Sequence, residues 1–291
     1  MSSTTEIRVL AEGFTMLESG RWHEGRLWVA HWGSAEIVAI DLNGVVDRVA
    51  AGPAGFGWSF DWLPDERRLT TGPRLTVSSG DGAEEPYGHL DEVAAHGWNE
   101  LVVGAAGDVY VNGFEFDLTG GGAPQPGIIA LVRPDGHTRV VAEDLQFPNG
   151  MVLTPDGRTL LVAESFANRI TAFDLAADGT LGSRRVWAAG VAPDGICVDV
   201  DGGVWCGAPD IAMLGGGPDA PGGALLRVGP GGEITDRVEF DRPAFACALG
   251  GTEGRTLFAL TTEWRGFDRI DQTAAERTGR VLATEVTVPA P

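Results

Sequence analysis

Six residues best placed for chemistry stand at one equivalent point of a repeated segment: Glu18, Trp58, Asn99, Asn149, Asp194 and Ala246. Asn149-Gly-Met-Val-Leu-Thr-Pro-Asp-Gly-Arg aligns without a gap on Trp58-Ser-Phe-Asp-Trp-Leu-Pro-Asp-Glu-Arg, and segments beginning at Asn99, Asp194, Ala246 and Glu18 fit the same template. Four of the six carry a side-chain oxygen, and two of those four are carboxylates. Two acids and two amides converging on one point suit a hard divalent cation, whose charge the acids balance. The set holds no nitrogen or sulfur donor, which favours Ca²⁺ or Mg²⁺, although oxygen-rich sites also take Mn²⁺ or Zn²⁺. Asn149-Gly150 and Asp194-Gly195 are also ordinary turn dipeptides, so the shared register carries this reading, not any one residue.

Convergence requires an architecture that brings these positions together. The copies start at 18, 58, 99, 149, 194 and 246, a spacing of 40 to 52 residues that is the period of a four-stranded propeller blade. Further strand-like runs follow in each copy, such as Glu36-Ile-Val-Ala-Ile-Asp-Leu, the Asn43-Gly44 turn and Val45-Val-Asp-Arg-Val-Ala. Asn-Gly between apolar runs is a hairpin signal. The expected fold is all-β, a single six-bladed β-propeller over residues 1–291 with four antiparallel strands per blade. The run Ile7-Arg-Val-Leu-Ala should add a strand to the last blade beside Arg280-Val-Leu-Ala-Thr-Glu-Val and close the ring. Innermost strands would then line a central channel, with the six repeated positions on a ring about its axis.

Composition sets the remaining bounds. With 21 basic residues, all Arg, against 41 acidic ones, the net charge of −20 excludes a phosphate backbone as a partner. No stretch approaches the length of a membrane span, and the first residues resemble no signal peptide. A cytoplasmic protein without nucleic-acid or membrane partners is the expectation, with the oligomeric state left open. Three cysteines make no disulfide framework. Cys197 and Cys206 flank the turn at Asp201-Gly202 and could face each other across a hairpin, as free thiols.

At the ring residues the chain resembles the senescence-marker protein (regucalcin), gluconolactonase and luciferin-regenerating enzyme family. The resemblance rests on Glu18-Ser-Gly-Arg-Trp22, Gly97-Trp-Asn-Glu-Leu101, Pro148-Asn-Gly150 with Thr154-Pro-Asp-Gly157, Pro193-Asp-Gly195 with Asp199, Gly202 and Trp205, and Gly250-Gly251. It implies that Glu18, Asn149 and Asp194 ligate a metal, that Asn99 lies near the metal or its water, and that the reaction is hydrolysis of a lactone or related ester. Asp194 would also serve as general base. An Arg that the family uses on sugar lactones is replaced by Gly97, which removes a multi-donor grip on a polyhydroxylated ligand. Glu100 takes the place of an Asp beside the substrate, and His96 or His89 could stand in for the missing Arg.

Aromatics at Trp22, Trp32, Phe56, Trp58, Trp98, Phe114, Phe116, Phe166 and Trp264 gather in segments near the channel mouth and point to a less polar substrate. Trp58 is the first candidate for a substrate-facing wall, with packing between blades the other account of it. His31 could face the pocket. No G-x-S-x-G elbow is present, and the runs from Gly120 and Gly215 precede no helix, so they read as loops bordering the pocket. Arylester or phosphotriester hydrolysis, and a metal-containing propeller recruited for binding or a non-hydrolytic step, are the competing functions.

Overall fold

A computed structural model of the chain describes residues 6–79, 82–94, 97–114, 122–207, 223–266 and 269–291. Its first strand, β1 (Arg8–Phe14), is followed by blade one: β2 (Leu17–His23), β3 (Arg26–His31), β4 (Glu36–Ile40) and β5 (Val46–Ala51). Blade two is β6 (Phe60–Trp62), β7 (Arg68–Thr70), β8 (Thr76–Ser78) and β9 (Glu84–Pro86). Blade three is β10 (Trp98–Val103), β11 (Val109–Phe114), β12 (Gly127–Val132) and β13 (Thr138–Leu145). Blade four is β14 (Pro148–Leu153), β15 (Thr159–Glu164), β16 (Arg169–Leu175) and β17 (Leu181–Ala189). Blade five is β18 (Ile196–Val198), β19 (Val204–Gly207), β20 (Ala224–Val228) and β21 (Ile234–Glu239). Blade six takes β22 (Ala244–Gly250), β23 (Thr256–Thr261) and β24 (Gly279–Glu285), and its fourth strand is β1.

All pairings are antiparallel, and β1 lies on β24 with Arg8 opposite Ala283. The ring is therefore closed by chain ends in one sheet, as the sequence pattern implies. The Asn43-Gly44 turn also forms: Asp41 accepts the Asn43 and Val45 amides, and Gly44 sits at φ +84° with a Cβ position only 2.3 Å from the Leu10 carbonyl oxygen. Only glycine fits that turn.

Alternation along each strand sends apolar side chains to both faces of every blade, because each face meets a neighbouring blade. Six apolar clusters result, one per seam. The seam between blades six and one packs Leu27, Val29, Phe258 and Leu260, and Trp22 stacks there on Phe258. Among the described residues no helix is long and apolar enough to cross a membrane; the α-helix α1 covers Ile270–Glu276.

Candidate active site

The innermost strands are irregular where the ring residues stand. Pairing with the second strand shifts register between Glu18 and Arg21 in blade one, between Trp98 and Leu101 in blade three, and between Pro148 and Met151 in blade four. Such an irregularity breaks strict alternation and lets successive residues turn to the same side. It frees Asn99 and Glu100, neighbours in sequence, to be buried at the axis together. Left-handed backbone marks the same places: Ser19 at φ +55°, Phe147 at +54° and Ala192 at +40° each lie within two residues of a ring donor. Non-glycine residues held there carry strain that the surrounding structure must enforce.

The glycines of Asn149-Gly150 and Asp194-Gly195 are explained by proximity and not by turns. A Cβ on Gly150 would stand 2.6 Å from the Ile196 nitrogen, and one on Gly195 would stand 2.5 Å from the Ala246 Cβ. Inner strands of blades four, five and six thus run backbone against backbone. Gly150 donates to the Asp194 carbonyl oxygen at 3.3 Å and Gly195 to that of Phe245 at 2.8 Å, while the Asp194 amide donates to Gly207 at 3.2 Å. Three blades therefore pin the backbone that carries Asp194.

Glu18 is buried at the axis, and Asp194 is partly buried. Burial pushes the Glu18 carboxyl well up, with repulsion from Asp194 and then Glu100 adding to it. Burial and then Glu100 likewise push Asp194 up to about 7, and the neighbouring Asn149 amide acts against them. Asn99 is buried, and its amide donates to the Pro148 carbonyl oxygen at 3.4 Å. The structure thus brings Glu18, Asn149 and Asp194 together with Asn99 beside them. Among the described residues no three His, Cys, Asp or Glu side chains stand close enough to hold a metal ion; the donors here are acids mixed with amides.

Glu100 occupies a different place from the substrate contact expected of it. Its Oε1 accepts from Ser19 at 2.6 Å, and its Oε2 accepts from Ser59 at 3.0 Å and from Arg21 at 3.4 Å. Both oxygens are engaged by protein, so Glu100 supports the ring from the channel interior. Asn112 joins this support, accepting from the Glu100 amide at 3.2 Å and donating to the Asn149 carbonyl oxygen at 2.7 Å. Ser19 and Arg21 stand in the blade-one motif beside Glu18, but nothing in the sequence marks them, Ser59 or Asn112 as partners of Glu100.

Trp58 is not a channel wall. Its indole is fully buried in the seam between blades one and two with Ala30, Ile37 and Phe60, and a Cβ on Gly52 would lie 2.4 Å from its ring. His31 is also internal: its Nε2 accepts the Thr15 amide at 3.1 Å, which places the ring proton on Nδ1, 2.6 Å from Ser34 Oγ. Burial pushes its pKa down. His89 is bound to the outermost strand of blade three through its amide and Thr138 Oγ1 at 3.0 Å, too far out to replace an Arg at position 97. His96, Phe116 and most of the glycine-rich runs from 120 and 215 lie outside the described residues.

Other aromatics divide between seams and rim. Trp22 and Trp98 pack in seams. Two groups stand at the strand ends where the ring donors lie. Met16, Trp32, Phe56, Phe245 and Trp264 form one across blades six, one and two, with Trp32 and Phe56 edge to face at 5.8 Å. Phe147 stacks on Phe166 at 4.4 Å and meets Phe114 at 4.6 Å in the other, across blades three and four.

The fold and site define a six-bladed propeller with a buried cluster of acids and amides on its axis. Residues 74–263 match the family described as SMP-30/Gluconolactonase/LRE-like region, and the chain belongs to that family. It is 28% identical over 172 residues to 6-deoxy-6-sulfogluconolactonase of Pseudomonas putida, a match that takes in 55% of this chain and about half, 53%, of that relative's length. Among solved structures it resembles luciferin-regenerating enzyme, with a TM-score of 0.80 at 13% identity over 99% of this chain and 97% of that one. Regucalcin of Agrobacterium tumefaciens, described as a calcium-binding protein, gives a TM-score of 0.76 at 19% identity over 99% and 96%.

Proposed function

We propose that this chain is a divalent-metal-dependent lactonase that opens a ring less polar than a sugar lactone. The observation that carries the reading is the pair of acids Glu18 and Asp194, each pushed up by burial and by like charge, with the Asn149 amide beside one of them. A hard cation would relieve both the desolvation and the repulsion, so the donor set fits one, with Ca²⁺ the first choice for oxygen ligands alone. Glu18, Asn149 and Asp194 would hold it, with Asn99 as a further donor. A bound divalent ion polarises an ester carbonyl and balances charge on its oxygen.

The chain's own residues supply the remainder. Asp194, pinned by three blades beside the place where the ion would sit, is the carboxylate positioned to take a proton from the attacking water. Glu100, fixed by Ser19, Ser59 and Arg21, holds its charge in one place beside that carboxyl. Gly97 offers a substrate no guanidinium, while the partly exposed Trp32, Phe56, Phe114 and Phe166 of the two aromatic groups offer apolar surface. Kinship with a sulfogluconolactonase supports lactone hydrolysis, and the description of regucalcin supports calcium.

The test is a pH-indicator assay on aldonolactones, alkyl lactones and aromatic-fused lactones, with metal stripped and then restored. Turnover should return with the metal and be fastest on alkyl or aromatic-fused rings. Absence of turnover on every ring with every metal would remove the lactonase reading.

A further inference from the structure

The inner strands β18 and β22 hold a second pair of chemically active groups, three residues along the chain from Asp194. Pairing of β18 with β19 sets Cys197 opposite Trp205 and Ile196 opposite Cys206. A one-residue offset puts side chains on opposite faces of a strand, so Cys197 and Cys206 do not meet across their hairpin. Cys206 is fully buried in the seam between blades four and five. Cys197 instead faces the next blade, its Sγ 3.5 Å from the Sγ of Cys247.

That approach follows from the glycine packing already described: Gly195 runs against Ala246, the residue before Cys247. The two thiols differ in environment. Cys197 is partly exposed, whereas Cys247 is buried and its Sγ lies 3.3 Å from the Trp205 carbonyl oxygen. Burial pushes the Cys247 thiol well up, so the partly exposed Cys197 is the sulfur that a peroxide from solution meets first.

We propose that Cys197 and Cys247 form a reversible oxidation site for hydroperoxides, closing a disulfide across the seam between blades five and six. The Cys197 thiolate attacks one oxygen of hydrogen peroxide, the O–O bond breaks, and the departing hydroxide takes the proton that Cys197 gave up and leaves as water, with a sulfenic acid on Cys197. The Cys247 sulfur then bonds to the Cys197 sulfur, the S–O bond breaks, and the departing hydroxide takes the Cys247 proton as a second water. Two thiols and one peroxide become one disulfide and two waters. Two electrons pass from sulfur to oxygen. Cys206, on the far face of its strand, takes no part and serves as an internal control.

The experiment treats the full chain with hydrogen peroxide, blocks residual thiols, and maps peptides without reductant. Expected is a Cys197–Cys247 cross-link with a mass loss of about 2 Da, reversed by dithiothreitol, with Cys206 still a thiol. In Cys247→Ser the resolving sulfur is gone, so Cys197 should accumulate two or three oxygens instead. Wild-type protein in which Cys197 gains oxygens without cross-linking, or in which Cys206 enters the cross-link, would overturn the proposal. So would a Cys197 left unmodified while methionines oxidise. The wild-type result decides even if the variant does not fold.

Discussion

Blades two and four are written on one template and finish differently. Both carry Pro-Asp at the same turn, with Asp65 accepting the Arg67 amide and Asp156 the Arg158 amide. The left-handed turn position is Glu66 at φ +67° in one and Gly157 at +66° in the other. At the ring position, Asn149 sets its side-chain amide beside Asp194 at the axis, while Trp58 buries its indole in a seam. One register therefore produces either a donor at the axis or a wedge between blades, and residue type decides which. A small amide stays where polar partners stand. A large indole gains more from the space that Gly52 leaves open.

The strongest way to break this contrast is at the acid that Asn149 serves. Asp194→Ala should lower lactone turnover on the order of a thousandfold, read as kcat/KM with metal in excess, while Trp58→Phe should leave turnover near wild type. Stability should respond in the opposite sense. Trp58→Ala leaves a cavity in the seam and should cost about 3–5 kcal/mol in urea unfolding, whereas Asn149→Ala should cost far less.

Proton linkage sharpens the comparison further. In the metal-free protein Asp194 titrates near 7 instead of its ordinary 3.8. Between those values the folded state binds a proton that the unfolded chain releases, so stability falls as pH rises. The midpoint of metal-free protein should drop from pH 5 to pH 8, and saturating calcium should flatten or reverse the slope at its alkaline end. By the same linkage, calcium affinity should weaken as pH falls below about 7. The smallest effect is expected at the shared turn. Glu66→Gly should stabilise the protein by about 1 kcal/mol, since a side chain is carried there in left-handed backbone, and thermal unfolding would show it.

Much of this was legible because the repeat is local. The spacing of Pro-Asp turns and apolar runs implies six blades, and register alone brings Glu18, Asn99, Asn149 and Asp194 to one ring. The closing strand could be read because Ile7–Ala11 and Arg280–Val286 are both strand-like and otherwise unpaired. What escaped depends on contacts between blades. Glu100 is held by Ser19, Arg21 and Ser59, residues 81, 79 and 41 positions away, which no spacing rule connects. Trp58 went to the seam because of Gly52, and Cys197 met Cys247 because strand pleating turned it from Cys206. The Asn-Gly and Asp-Gly pairs resemble turns, yet their glycines serve the close approach of inner strands.

Whether the acids on the axis hold a metal ion is decided by calorimetric titration of stripped protein with calcium, comparing wild type, Asp194→Ala and Trp58→Phe. One bound ion is expected in wild type and in Trp58→Phe, and none in Asp194→Ala. An Asp194→Ala protein that still binds one ion with wild-type affinity would contradict it.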